Sequence, residues 1–159
     1  MLKLIDDKLL NNLVAEAAQK PRQRSHYNVH QSFDDPVQKL IVAATPMSYF
    51  RPHRHPDKSE FAVVLRGRFD ILLFDDDGRV SVRQPVGDGT GTPAFEIPAN
   101  TWHCWLAVTD EAVFFEAKQG PYIPDKAAEF AAWSPAEDSD DAAGYLQSLK
   151  QAQAGDSPG

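Results

Sequence analysis

The sequence predicts a mainly β, single-domain protein whose strands form an antiparallel sandwich or barrel. From about residue 37 to residue 118, eight short segments rich in β-branched and aromatic residues alternate with turn residues, and no helical pattern interrupts them. The length of 159 residues fits one hydrophobic core well and two poorly. The predicted strands are residues 37–44, 48–55, 60–65, 68–74, 79–84, 94–97, 102–108 and 112–118.

An amphipathic helix is predicted before the strands, over residues 6–20. Asp6 is a suitable N-cap, and Pro21 ends the helix. The apolar stripe consists of Leu9, Leu10, Leu13, Val14 and Ala17. The following residues, up to residue 36, are interpreted as a connecting arm with the polar side chains Arg22, Arg24, His26, Asn28 and His30.

Turn residues separate the predicted strands. The run Asp75-Asp76-Asp77-Gly78 predicts a hairpin turn and is too short to supply the ligands of a calcium loop. The stretch from Gly87 to Gly91 does not follow the dinucleotide-binding fingerprint and opens no helix, so it is interpreted as a loop.

Composition divides the chain into four parts: an N-terminal helix and arm (1–36), a β-barrel (37–120), a C-terminal cap (121–135) and an acidic tail (136–159). In the cap, residues 125–133 are expected to form a short helix that covers one end of the barrel. The tail is acidic and rich in small polar residues, so we expect it to be mobile, with a marginal helix at 142–151.

Two short segments carry the strongest functional signal. The first has the pattern H-x-H-x4-E-x6-G and contains His53, His55 and Glu60; the second, P-x-N-x-x-H, ends at His103. Side chains alternate along a strand, so the first two histidines share a face, and the turn after them can return Glu60 to the same place. His103 begins a later strand and can close the site from across the barrel. The spacing therefore predicts one metal ion bound by three imidazoles and one carboxylate.

This ligand set predicts a divalent transition metal and leaves its identity open among Fe, Mn, Co, Ni, Cu and Zn. Fe(II) would permit oxygen activation, whereas Zn or Mn would act as a Lewis acid. A six-coordinate ion would keep two positions for water, oxygen or substrate. A closed site without a free position would instead be structural.

Charge and hydropathy narrow the classes of partner. The formal net charge of -7, from 16 Lys and Arg against 23 Asp and Glu, gives no general attraction to nucleic acid or to anionic membranes. No apolar run approaches the roughly 20 residues that span a bilayer, and charged residues interrupt the N-terminal apolar run, unlike a secretory signal. We therefore expect a cytoplasmic protein that binds a small molecule. Cys104 is the sole cysteine, which excludes an internal disulfide and predicts a buried, unreactive thiol.

The two segments resemble the paired metal-binding motifs of the cupin superfamily, whose fold is a double-stranded β-helix or jelly-roll barrel. Asn100 stands where the second motif usually has glycine, and Ala107 where a polar residue is often found. More narrowly, most of residues 5–135 is similar to the WbuC-like cupin metalloproteins. The shared pattern comprises Arg22-x-Arg24, Asn28-x-His30, Ser48-Tyr49-x-Arg51-Pro52-His53-Arg54-His55, Trp102-His103 and Gly120-Pro121-Tyr122. The resemblance implies a link to bacterial polysaccharide (O-antigen) gene clusters.

Strand parity adds candidates for the barrel interior. Arg51 and Tyr49 precede His53 by two and four residues, so they are expected to face inward, Arg51 to bind an anionic group and Tyr49 to transfer a proton. Glu116 and Lys118 alternate on the last strand and are candidates for proton transfer and anion binding. A structural salt bridge for Arg51 and an ion pair between Glu116 and Lys118 are the competing interpretations.

Two further side chains are candidates for ligand binding. Trp105 shares the parity of His103 and is expected to form an apolar or sugar-stacking wall, with core packing as the alternative. His30 is expected to fold over the barrel mouth and bind a ligand, or else to satisfy backbone groups where the helix meets the sheet. The family resemblance supports the first option for His30.

Together these features predict a metal-dependent cupin that acts on a small polar or anionic molecule, with a carbohydrate derivative as one option. The reaction stays open between isomerisation, epimerisation-like proton transfer and Fe(II)-dependent oxygenation. A sensor or binding module and an assembly protein with a structural metal are the non-catalytic alternatives. A homodimer is also expected by analogy with other cupins, because exposed sheet edges invite pairing.

Overall fold

In the computed structural model, residues 2–159 form two antiparallel sheets with one α-helix on each outer face. Helix α1 spans Asp7–Gln19, helix α2 spans Ala142–Gln151, and Pro124–Lys126 is a 3-10 turn. The strands are β1 (Arg24–Asn28), β2 (Val37–Ala44), β3 (His53–Arg54), β4 (Glu60–Arg66), β5 (Arg68–Phe74), β6 (Val80–Gly87), β7 (Ala94–Ile97), β8 (Trp102–Ala107), β9 (Ala112–Gln119) and β10 (Glu129–Phe130). The prediction of a mainly β fold with N-terminal and C-terminal helical segments is confirmed.

The two sheets enclose an interior that is apolar at one end and charged at the other. Their strand orders are β1-β2-β9-β4-β7 and β10-β3-β8-β5-β6. Along β9 the inward side chains change from Ala112 and Phe114 to Glu116 and Lys118. At the apolar end Trp105 stacks on Phe114 with ring centroids 3.8 Å apart. Burying side chains of this size contributes roughly 1.5–3 kcal/mol each, so this end forms a well-packed base for the charged end.

Helix α1 packs on the outer face of the first sheet. Asp6 caps it as predicted, because its carboxylate accepts a hydrogen bond from the backbone N–H of Leu9 at 3.0 Å. The buried residues of this contact are Leu10, Leu13, Ala17, Ile41, Ala43 and Val113. Strand β1 lies under the helix, and the Ser25 hydroxyl donates to the carbonyl of Leu13 at 2.7 Å.

Helix α2 packs on the outer face of the second sheet, which corrects the expectation of a mobile tail at 136–159. Its buried side chains, with those they contact, are Tyr145, Leu146, Leu149, Leu72, Cys104 and Leu106. Arg83 on β6 holds the end of the helix by donating to the carbonyls of Leu149 at 3.1 Å and Ala152 at 2.6 Å. The acidic composition suggested disorder, but the apolar residues of 142–152 form one helical stripe that the sheet buries.

Three local predictions also need correction. Residues 48–52 form no strand, and regular pairing begins at His53. Residues 125–133 form the end of a 3-10 turn and the short strand β10 instead of an α-helix. The arm, interpreted as a connection, contains strand β1, which extends the first sheet by pairing with β2. Among residues 2–159, no helix combines the length and apolar character that crossing a bilayer requires.

Candidate metal centre and cavity

Four side chains that are far apart in the sequence meet at the charged end of the barrel. His53 on β3 pairs across strands with His103 on β8, Glu60 begins β4, and His55 directly follows β3. One candidate ligand atom of each residue lies within 4.8 Å of those of the other three. This separation is close to twice the length of a metal–nitrogen bond, which is about 2.1 Å. The structure therefore brings together the four residues that the spacing singled out.

The loop before β8 links the two metal-binding segments. Asn100 has φ 59°, in the left-handed region that glycine prefers and asparagine tolerates. Its backbone N–H donates to the carbonyl of His55 at 2.8 Å. This conformation explains how Asn100 can replace the glycine that is usual in the cupin motif without disturbing His103.

Backbone carbonyls orient the three imidazoles of the cluster. Each Nδ1 atom lies close to a carbonyl oxygen: 2.9 Å for His53 to Arg51, 2.6 Å for His55 to Ala127, and 2.8 Å for His103 to Thr101. Because a carbonyl oxygen only accepts, each Nδ1 donates and carries the hydrogen. The Nε2 atoms are then the ones available to a metal, an orientation typical of metal-ligating histidines.

The cluster contains more acceptor atoms than donors. His103 Nε2 and Glu60 Oε1 are buried without a hydrogen-bond partner, and His55 Nε2 lies 3.0 Å from Glu60 Oε2. An unpaired buried polar atom costs about 1–3 kcal/mol, and acceptors that face each other repel unless a proton or cation lies between them. A metal ion would satisfy these atoms at once, so the residues present fit the predicted group.

Burial and charge give the cluster the protonation states that metal ligands need. Burial lowers the pKa of His53 well below its ordinary value, and His103 adds to the effect. Burial also lowers the pKa of His103. Burial alone would raise the pKa of Glu60, but the Lys118 charge and the contact with His55 hold that pKa well below its ordinary value. The imidazoles of His53 and His103 are therefore neutral beside an ionised carboxylate.

Lys118 lies between two buried carboxylates. Its Nζ atom is 2.9 Å from Glu116 Oε1 and 3.5 Å from Glu60 Oε2. Burial would lower the pKa of Lys118, but the two carboxylates outweigh burial and raise it. Burial and the Glu60 charge raise the pKa of Glu116 to about 7. The predicted alternative, an ion pair between Glu116 and Lys118, is present, and both side chains also line the cavity described next.

A cavity of about 620 Å³ lies between the metal-binding cluster and the arm. Its apolar wall consists of Leu40, Val42, Phe50, Trp105 and Phe114. Polar side chains line its two ends: Glu60, Glu116 and Lys118 beside the cluster, and Asn28 and His30 on the arm. The volume is within the range of about 300–1,000 Å³ that is typical of small-molecule sites.

Tyr49 and Arg51 are not brought to this cavity, because residues 48–52 are not a strand and the parity prediction does not hold there. The Tyr49 hydroxyl donates to the carbonyl of Pro135 at 3.0 Å. Arg51 donates to the carbonyls of Ala131 and Ser134, each at 3.0 Å. Both side chains therefore attach the segment before His53 to the C-terminal cap. Arg51 also lines a smaller cavity of about 200 Å³ beside His53, His55 and Lys118, so its anion-binding role stays a prediction, as does the proton-transfer role of Tyr49.

Trp105 and His30 do line the cavity. Trp105 is only 2% exposed and Phe114 covers one face of its ring, so the predicted alternative of core packing is present, and contact with a ligand stays a prediction. His30 Nδ1 lies 3.0 Å from the backbone nitrogen and 2.9 Å from the carbonyl oxygen of Lys39, while its Nε2 atom is buried without a partner. Asn28 was not assigned a role from the sequence. Its spacing of two residues from His30 was the available signal, but this spacing places both side chains on one face only if the arm is extended like a strand.

The model of a family described as a domain of unknown function, DUF6016, matches residues 5–86. The chain belongs to this family. The matched part of the DUF6016 protein includes His53, His55 and Glu60, whereas His103 lies beyond it. A comparison with curated proteins found no match.

Solved structures similar to this DUF6016 protein include three cupins. KdgF from Halomonas sp. has a TM-score of 0.50 and 19% identity over 67% of this chain and 86% of KdgF. A recombinant oxalate oxidase in complex with glycolate has a TM-score of 0.54 and 18% identity, over 71% of this chain and 57% of the oxidase. The capsular polysaccharide assembling protein CapF from Staphylococcus aureus has a TM-score of 0.58 and 19% identity, over 70% of this chain but only 30% of CapF. These similarities confirm the predicted cupin jelly-roll fold.

Proposed function

We propose that this protein is a metal-dependent cupin that binds and converts a small oxygen-rich anion. One observation carries the proposal: the donor atoms of His53, His55, Glu60 and His103 converge beside a cavity large enough for a small molecule. The proposed cofactor is one divalent ion among Fe, Mn, Co, Ni, Cu and Zn. When bound, it supplies Lewis-acid chemistry or, as Fe(II), oxygen activation.

Two charged side chains beside the cluster are proposed to act on the substrate. Lys118 is buried between carboxylates, and its ammonium group can donate a further hydrogen bond to a ligand carboxylate or phosphate. Glu116 is buried beside it, lines the same cavity and is the proposed proton carrier.

The proposed substrate class is a hydroxy acid or a sugar-derived acid. CapF is described as a capsular polysaccharide assembling protein, and the oxalate oxidase structure contains glycolate. The resemblance of the arm and the first metal-binding segment to WbuC-like cupins points in the same direction, toward O-antigen and lipopolysaccharide metabolism. A carbohydrate derivative with a carboxylate would satisfy these indications and the positive charge of Lys118.

A non-catalytic binding or sensor module is the second candidate. The observation that favours it is the position of Tyr49, whose hydroxyl is bonded to the C-terminal cap. Of the two proposed acid–base groups, only Glu116 then lies at the cavity, and it is already paired with Lys118. A protein with this arrangement could hold a ligand on the metal without converting it.

The test begins with elemental analysis of protein purified without added metal and then exposed separately to each of the six ions. We expect about one equivalent of metal in the wild type and almost none in His55→Ala. His26→Ala, which removes an exposed histidine outside the cluster, is the matched control and should retain the metal. A wild type that binds none of the six ions would overturn the proposal.

The second step separates an enzyme from a binding module. The metal-loaded protein is incubated with hydroxy acids and sugar acids, while oxygen uptake and the appearance of isomers are followed by electrode and by NMR. Turnover that is lost in Glu116→Gln, with ligand binding retained, selects the enzyme. Saturable binding without turnover for every metal selects the binding module.

A further inference from the structure

The arm side of the cavity contains two buried polar atoms that have no hydrogen-bond partner. They are Oδ1 of Asn28, at the end of β1, and Nε2 of His30, two residues later. His30 is only 6% exposed, and both residues line the cavity. Unpaired buried polar atoms are rare in folded proteins because each one is costly. Two of them on one wall of a cavity indicate a place where a ligand supplies the missing partners.

The neighbouring backbone bears on the tautomer of His30. Its Nδ1 atom lies 3.0 Å from the backbone nitrogen of Lys39 and 2.9 Å from the Lys39 carbonyl oxygen, and that carbonyl already accepts from the N–H of Val29 at 2.9 Å. Because the carbonyl already has a donor and the Lys39 N–H needs an acceptor, we assign His30 Nδ1 as the acceptor, which places the ring hydrogen on Nε2 as a donor. Asn28 Oδ1 is an acceptor. A hydroxyl group, which can donate to Asn28 and accept from His30, satisfies both atoms.

The distance between this wall and the metal-binding cluster sets the length of the ligand. Asn28 lies in one cross-strand row with Leu40 and Glu116, and β1 is three strands away from β4, which carries Glu60. Neighbouring strands are about 4.8 Å apart, so the β1 and β4 backbones are separated by roughly 14 Å along the sheet. A two-carbon acid such as glycolate is too short to contact both ends.

The wall between the two ends determines what the middle of the ligand can be. One side of it is apolar, with Leu40, Phe50 and Phe114 between the polar ends. Arg24 and Gln38 also line the cavity, but Arg24 is paired with Glu137 and the Gln38 amide donates to the carbonyl of Asp35. Hydroxyl groups placed against this surface would lose their hydrogen bonds to water without replacement. An aromatic ring or a short alkyl chain would instead gain from the contact.

We infer that the cavity is built for an elongated hydroxy acid with three parts. Its acid head lies at the metal-binding cluster and Lys118, its apolar middle lies along Leu40 and Phe114, and its hydroxyl tail is held between Asn28 and His30. The head position rests on the proposed function, whereas the tail position rests on the two unpaired atoms alone. The inference narrows the substrate class from small acids in general to acids with a distal hydroxyl.

A series of three acids tests each part in turn. Glycolate has only the head, mandelate adds an aromatic middle, and 4-hydroxymandelate adds the distal hydroxyl. Dissociation constants are measured by titration calorimetry with the full-length, Zn(II)-loaded protein. We expect affinity to rise along the series. The affinity for 4-hydroxymandelate should exceed that for mandelate by about 2- to 12-fold, as expected for the net contribution of a hydrogen bond.

Two variants assign that last step to the arm. His30→Asn keeps an acceptor for the Lys39 N–H and removes the Nε2 atom, and Asn28→Leu replaces the amide by an apolar group of similar shape. In both variants the preference for 4-hydroxymandelate over mandelate should fall to about onefold, with Zn content and glycolate affinity unchanged. Tyr27→Phe, on the opposite face of β1, is the control and should keep the preference.

The outcomes separate this inference from the proposed function. Failure of the wild type to bind Zn and the other ions overturns the metal proposal, and the mandelate pair then tests the tail position in the metal-free protein. Equal affinities for mandelate and 4-hydroxymandelate overturn the inference, whether or not metal is bound. A preference that persists in both His30→Asn and Asn28→Leu also overturns it.

Discussion

A divalent metal ion is expected to raise the melting temperature of the metal-free protein, and His103→Ala is expected to abolish the increase. His103 is almost fully buried, and its Nε2 atom has no hydrogen-bond partner, as is the case for Glu60 Oε1. Metal binding gives both atoms a partner in the folded state only. The folded state is therefore stabilised by mass action, and the increase grows with the concentration of free metal.

The magnitude follows from these unpaired atoms and from the size of the chain. At about 1–3 kcal/mol for each atom, pairing both is worth on the order of 2–6 kcal/mol. An ion present at 100 times its dissociation constant contributes about 2.7 kcal/mol, within this range. For a domain of 159 residues, 1 kcal/mol corresponds to about 2–4 °C, so an increase of about 5–11 °C is expected.

Differential scanning fluorimetry or calorimetry on chelator-treated protein measures the increase for each ion. His103→Ala should show less than about 1 °C at the same metal concentration, while His26→Ala should match the wild type. Circular dichroism shows whether the His103→Ala variant is folded before metal is added. An equal increase in the wild type and in folded His103→Ala would refute the assignment of His103 as a ligand.

Three further outcomes test the surroundings of the site. Arg83→Met should lower the free energy of unfolding in urea by about 3 kcal/mol, because it leaves Asp70 and two helix carbonyls without their charged partner; exposed Arg79→Met should change it little. Leu149→Ala, beneath α2, should cost about 2–5 kcal/mol by creating a cavity, with the increase on metal addition retained. Burial would raise the pKa of Glu137, but Arg22 and Arg24 outweigh burial and lower it. Glu137→Gln should therefore lower the free energy of unfolding by a constant amount above the ordinary carboxyl pKa. This difference should disappear as the pH falls through the lowered pKa of the folded state, and urea titrations at several pH values measure it.

Sequence spacing predicted the metal-binding cluster because the information lies within short segments of regular structure. His53 and His103 are on paired strands, and Glu60 begins a strand whose bounds were predicted to within one residue. Strand parity does not apply at Tyr49 and Arg51, because they precede the strand and bond to residues 131–135. No local pattern in 48–52 could reveal contacts with a segment about 80 residues later.

In the C-terminal tail, amino-acid composition likewise failed to reveal a long-range contact. The acidic residues between 136 and 159 predicted disorder, yet Tyr145, Leu146 and Leu149 are buried on the second sheet. The apolar stripe was visible as a marginal helix, but its stability depends on a matching apolar face formed by β5 and β8. The positions of Asn28 and His30 were obscured for a similar reason, because the pairing of β1 with β2 is a long-range feature.

The position of Cys104 makes the thiol a natural reporter. It is on β8, directly after His103, on the side of the strand that helix α2 covers. Burial raises the pKa of this thiol, so a labelling reagent can react with it only after the helix lifts away. Labelling rates measured in native buffer would thus report how often α2 detaches. Comparing the rates with and without metal would show whether metal binding on one face of β8 changes the detachment of the helix on the other face.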